Sequence, residues 1–157
     1  MNERTDEPAP EMDVLIERLG RMVEEDGLSR TVGRILGVLL ISDTPLSFTV
    51  LAQRLTISRG GLSSNTRLLQ EMGLIERVAM PGSRQDYFQV PANVWRIQVE
   101  RQMKRDAKAR AHVEAVLSRG DALPDRARER LATLVAILSR SDGLNVETLA
   151  LLEEGRL

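Results

Sequence analysis

SFTVLAQRLTISRGGLSSNTRLLQEMGLIERVAMPGSRQDYFQV, residues 47–90, is the stretch on which the fold turns. Its first part places Phe48, Leu51, Ala52 and Leu55 on one face of a short helix over 47–55. Thr56-Ile57-Ser58 is a three-residue turn, and Ser58 is suited to cap a second helix over about 59–72, which Gly73 stops. Leu74 to Val78 reads as a strand, Met80-Pro81-Gly82-Ser83-Arg84 as a hairpin loop, and Asp86 to Val90 as the returning strand. Helix, turn, helix and two-stranded hairpin in this order describe a winged helix-turn-helix.

The second helix tests that reading. At about 100° per residue, Leu62, Asn65, Thr66, Leu69 and Met72 share one side. Gly60, Ser63, Ser64 and Arg67 share the other, with Arg59 at its edge. A merely solvated face would carry Glu, Lys and Gln. This one is small, hydroxylated and basic, with no acid before Glu71 at the far end. It suits the major groove: serine hydroxyls meet phosphates or bases, Arg67 reaches a guanine edge, and Gly60 lets the backbone come close. The positive end of the helix, at Ser58 and Arg59, favours a phosphate as well. On the hairpin, Arg84 is placed to enter the minor groove, while Arg77 and Gln85 reach phosphates.

Outward from this core, residues 1–11 read as a flexible acidic tail containing Pro8 and Pro10. Asp13 is a cap for a helix through about Glu25, ended by Gly27. Ser29 opens a helix to about Ile41, apolar nearly all round and therefore central and buried. Gly33 and Gly37 lie one turn apart in it, a cost in helix propensity that a closely approaching neighbour helix explains. Leu46-Ser47 is a short extended piece. Beyond Pro91 a long helix spans about 92–119, a turn lies at Gly120-Asp121 and Pro124, Asp125 caps a helix to Ser139, Asp142-Gly143 breaks it, and a short helix covers about 146–153. The fold class is mainly α with a small β-hairpin wing. The expected division is tail 1–11, helix 12–27 of a dimerisation region, winged domain 28–91, and C-terminal helical dimerisation region 92–157. The apolar stripes outside 28–91 exceed what one winged domain can cover, which implies a homodimer and, with it, a palindromic operator.

Composition narrows the function. With no cysteine and one histidine, His112, thiolate metal sites, thiol redox chemistry and a Ser-His-Asp triad are excluded or improbable, so no metal, no cofactor and no enzyme are expected. His112 itself reads as a structural or exposed side chain. No apolar run is long enough for a membrane span, and no secretory signal is present, so a cytoplasmic protein without membrane partners is expected. The formal charge of −1 hides a split: residues 1–27 carry net −6, 28–90 net +3 and 91–157 net +2. The basic middle is where a nucleic-acid footprint would sit.

Three stretches resemble the bacterial GbsR/MarR-type transcriptional regulators: residues 32–40 with Asp43 to Ser47, residues 55–69, and Gly73-Leu74-Ile75 with Pro81-Gly82-Ser83-Arg84. The resemblance covers about residues 12–105 and is most specific in the recognition helix and the wing. It implies a homodimeric repressor or activator that binds double-stranded DNA, its terminal helices building the dimer, with a small-molecule effector of unknown identity. Founding members of that branch are linked to choline and glycine-betaine metabolism, and such ligands are held by aromatic cages. This chain has four aromatics, and only Trp95 is placed near an expected dimer-domain cleft, so Trp95 is a candidate effector contact while choline sensing is not supported. A second function class shares the fold, a winged helix used for protein–protein assembly. Such a module would expose Leu or Phe where this chain has Ser63, Ser64 and Arg67.

Overall fold

The computed structural model describes residues 10–119 and 123–157, which form two compact units, one through Val94 and one from Trp95 onward. The expected turn at Gly120-Asp121 and most of the expected tail lie outside the described residues. In chain order the elements are α1 (Pro10–Glu25), α2 (Arg30–Leu40), β1 (Leu46–Ser47), α3 (Phe48–Leu55), α4 (Arg59–Glu71), β2 (Glu76–Val78), β3 (Tyr87–Gln89), α5 (Val94–Ser118) and α6 (Asp125–Glu153). No described helix is long and apolar enough to cross a membrane.

In the first unit α2 is the centre, as its all-round apolarity requires. Val32, Ile35, Val38 and Leu39 are buried, and α3 and α4 pack Leu51, Leu55, Leu62 and Leu69 into the same core with Ile75 and Phe88. Helix α1 lies against α2, and the glycines explain how closely. A Cβ at Gly33 would stand 2.8 Å from Gly20 Cα, and one at Gly37 would stand 3.3 Å from Ile16 Cα. The crossing is locked by charge: Glu17 accepts a hydrogen bond of 2.5 Å from Arg30 and pairs with Arg34 Nε at 2.8 Å. That hydrogen bond, helped by the nearby Arg34 charge, holds the Glu17 carboxyl below the usual range against the opposing effect of burial. Residues 12–27 lie in the same compact unit as residues 28–91.

The sheet is three-stranded and antiparallel in the order β1-β3-β2, pairing Leu46 with Phe88 and Arg77 with Phe88. The hairpin was expected, but the extended pair 46–47 also joins it. Of the two aromatics on β3, Phe88 is the buried one.

Local expectations fail in three places. Helix α1 starts at Pro10, not behind an Asp13 cap, because proline is favoured in a first helical turn where its missing N–H is not needed. Ser29 opens α2 as expected, standing at its N-cap, although its hydroxyl turns to Asn65 and makes no capping hydrogen bond. Pro124 holds the N-cap of α6, and Asp125 is its first residue. Asp142-Gly143 does not break that helix, which runs unbroken through Glu153. Asp142 instead reaches across to Arg110 on α5 at 2.7 Å, and one interior glycine costs only about 1 kcal/mol.

The second unit is a pair of helices joined by polar groups. Asp106 on α5, 6% exposed, accepts hydrogen bonds from Gln102 (2.7 Å) and from Ser141 on α6 (2.8 Å). Helix α6 has no buried residue among the described ones, and Leu134, Ile137, Leu144 and Val146 are exposed.

Candidate nucleic-acid interface

The turn between α3 and α4 is built by local chemistry. Ser47 Oγ accepts from the Val50 amide and Ser58 Oγ from the Gly61 amide, capping both helices at their N-termini. Thr56 ends α3 in the left-handed conformation, φ 54°, which sharpens the turn. Leu62, Thr66 and Leu69 then anchor the inner face of α4, the Thr66 hydroxyl donating to the Leu62 carbonyl at 2.9 Å. Asn65 ties α4 to the start of α2: its amide donates to the Gly61 carbonyl, and its Oδ1 accepts from Ser29 Oγ at 3.1 Å. Sequence reasoning did not anticipate this tie. Asn65 fell on the inner side of the wheel, but nothing local pointed to a partner 36 residues away.

The outer face presents Arg59, Gly60, Ser63, Ser64 and Arg67, all exposed, as the helical wheel implied. A Cβ on Gly60 would meet nothing within 4 Å, so its space opens outward. Arg59 stands over the Phe48 ring at 5.8 Å, which steers its guanidinium at the start of α4. Ser64 donates to the Gly60 carbonyl at 3.1 Å and keeps an oxygen lone pair outward. Ser58 has spent one acceptor on its cap and still has a proton to donate. Arg67 is 81% exposed and donates from Nε to Glu71 at 3.0 Å, so Glu71 reaches back onto the basic face. Exposed pairs of this kind contribute about 0.3–0.5 kcal/mol, which a phosphate or guanine edge readily outbids.

The wing is positioned by the same helices. Phe48 donates its amide to the Asp86 carbonyl at 2.8 Å, and Thr49 Oγ1 donates to Gln85 Oε1 at 3.0 Å. Arg77 donates to Asp86 at 3.2 Å across the hairpin. Arg77 and Gln85, read from sequence as phosphate contacts, therefore both carry internal partners and brace the wing. Arg84 is exposed beyond Pro81 and Gly82, the latter at φ 78°, a value that favours glycine. A shallow recess lined by Phe48, Thr49, Arg59, Arg84, Gln85 and Asp86 brings the arginine of the wing and the first arginine of α4 to one place. Trp95 lies in the second unit and is 54% exposed, and His112 is exposed on α5.

Comparison with known proteins bears on this geometry. The MarR family model matches residues 26–86, the span from the turn before α2 to the wing. The chain is 34% identical over 132 residues to the HTH-type transcriptional regulator MmpR5 of Mycobacterium tuberculosis, covering 82% of this chain and 80% of that protein. It is 28% identical over 76 residues to the HTH-type transcriptional repressor OpcR of Bacillus subtilis, covering 48% of this chain and 41% of that one. A crystal structure described as that of a transcriptional regulator superposes with a TM-score of 0.78 at 30% identity, over 92% of this chain and 99% of the other. With the winged unit and the basic outer face of α4 in place, the chain belongs to the MarR family of HTH-type, DNA-binding transcriptional regulators.

Proposed function

We propose that this chain is a homodimeric repressor that lays α4 in the major groove of a palindromic operator and sets its wing on the minor groove. The observation that carries the reading is the outer face of α4. Five exposed small, hydroxylated or basic residues stand over a buried Leu62-Thr66-Leu69 anchor, without a large apolar side chain among them. That polarity disfavours a protein–protein assembly module. Ser63, Ser64 and Arg67 read base edges, with Ser58, Arg59 and Gly60 admitting a phosphate at the helix start. Arg84 supplies mobile charge, and Arg77 and Gln85 fix the hairpin that carries it.

The dimer is supported by apolar surface that one chain leaves open. On α6, Leu134, Ile137, Leu144 and Val146 are exposed, and on α1 so are Met12, Val14, Leu15 and Met22. Full burial of such side chains is worth about 1.5–3 kcal/mol each. In this reading residues 28–91 bind DNA, and residues 12–27 and 92–157 build the partner contact. Repression is supported by the similarity to the transcriptional repressor OpcR. The function requires no cofactor, metal or catalytic step and belongs in the cytoplasm with DNA. A small-molecule effector of unknown identity would meet Trp95, whose indole is available.

Mobility shifts on genomic fragments across a salt series, with light scattering on the same sample, test the reading. A retarded fragment with a two-fold footprint and a particle of twice 17.5 kDa are expected. A 17.5 kDa particle at micromolar concentration, or retardation indifferent to sequence, would overturn it.

A further inference from the structure

Helix α5 carries charge that the reading face does not use. Projected at about 100° per residue, Arg101, Lys104, Arg105, Lys108 and His112 fall within one arc of about 100°, running about 16 Å along the axis. Lys104, Arg105, Lys108 and His112 are exposed. No acid falls in that arc. The three acids of α5 point elsewhere and are engaged: Glu100 with Arg96, Asp106 with Ser141, and Glu114 with Arg110. Within the arc, Arg105 donates to Gln102 at 2.6 Å, a neutral partner that leaves its charge uncompensated. Ala111 and Ala115 are the small neighbours beside the stripe, so a broad surface can approach the cations closely.

A solvated helix usually mixes signs, because like charges three and four residues apart destabilise it. Lys104 with Lys108 is such a pair, so the helix bears a cost that an external anion removes. Residue type adds to this. The chain has 22 basic residues, and its two lysines, 104 and 108, both stand here. Lysine is a compact point charge suited to phosphate without fixed geometry, whereas arginine forks onto base edges.

We infer that this stripe on α5 is a second, sequence-independent contact for the phosphate backbone of duplex DNA, outside the reading helix and wing. The inference rests on the DNA-binding reading above, since a duplex held by one part of the chain is at high effective concentration for another.

The test compares wild type with a stripe variant (Lys104→Gln, Arg105→Gln, Lys108→Gln) and a control of equal charge change on α6 (Arg126→Gln, Arg130→Gln, Arg140→Gln). Each full-length protein is titrated by fluorescence anisotropy onto a mixed-sequence duplex of about 40 base pairs, from 50 to 200 mM NaCl, after circular dichroism has shown equal melting. Three lost phosphate contacts lower the slope of log affinity on log salt by about 2.7 per bound protomer. Wild type should therefore lose roughly 40-fold more affinity per bound protomer across the series than the stripe variant, while the control keeps the wild-type slope. A stripe variant with the wild-type slope overturns the inference and leaves the proposed function standing, as does a control that falls equally. Loss of binding to anionic phospholipid vesicles by the stripe variant, with its DNA slope unchanged, reassigns the stripe to a lipid surface. Wild type that binds no duplex at all overturns the proposed function together with this inference.

Discussion

Replacing Gly33 by alanine tests the packing on which the first unit depends. The added Cβ would stand 2.8 Å from Gly20 Cα and from the Leu19 carbonyl carbon, and closer still to the Leu19 oxygen. All of these are backbone atoms, so no side chain can rotate away, and α1 must move as a body. Overpacking of this kind costs about 1–3 kcal/mol, and a backbone clash belongs at the upper end. Alanine returns about 1 kcal/mol of helix propensity. The net loss is about 2 kcal/mol, and a domain of this size loses about 4–8 °C per kcal/mol, so the melting temperature should fall by roughly 8–16 °C. Thermal unfolding followed by circular dichroism, at fixed protein concentration, measures it. A variant melting at or above the wild-type temperature would show that α1 and α2 do not cross at these glycines, and the placement of α1 would be wrong.

Gly60→Ala should do the opposite for stability, because its Cβ meets open space: a gain of up to about 1 kcal/mol in the same melting assay, with weaker DNA binding where the backbone approach is blocked. Glu17 has its carboxyl pKa lowered in the folded state by Arg30 and then Arg34, so its contribution to stability is present above the unfolded value near 4.5 and is lost as pH falls through the lower folded value. The melting difference between wild type and Glu17→Gln should accordingly be largest near neutrality and shrink below about pH 4; a difference that grows on acidification contradicts the pairing. Arg84→Ala should weaken operator and random duplex by similar factors and lower the salt slope by about one per subunit, measured by anisotropy. Retention of the wild-type slope with loss of operator preference would place Arg84 among the residues that read sequence.

Periodicity is why so much of the winged unit was legible. Leu62, Thr66 and Leu69 recur at helical spacing, so the outer face of α4 followed from the wheel, and Gly33 with Gly37 announced a close neighbour. What was missed depends on contacts between distant residues. Leu46-Ser47 read as extended, but its pairing did not, because two residues are too few for an alternation to show and the partner, Phe88, lies far along the chain. The intact α6 depends on Asp142 finding Arg110, 32 residues away. That Gln85 and Arg77 have partners within the chain, Thr49 and Asp86, was not legible either, because a sequence displays charge and polarity but not neighbours. The third glycine of the helix crossing, Gly20, sits on α1 between Leu19 and Arg21 and carried no signal until α1 was seen against α2.

The central claim is that the outer face of α4 reads DNA, and it is most directly tested by selecting sites from a random duplex pool with the wild-type chain. Arg67→Ala is then measured on every single-base variant of the selected site. The account predicts a two-fold-related site and, for Arg67→Ala, a loss of about 1–3 kcal/mol with relaxed preference at one base pair per half-site, other positions keeping theirs. A pool that yields no consensus, or a variant with unchanged affinity and the same preference everywhere, would contradict it.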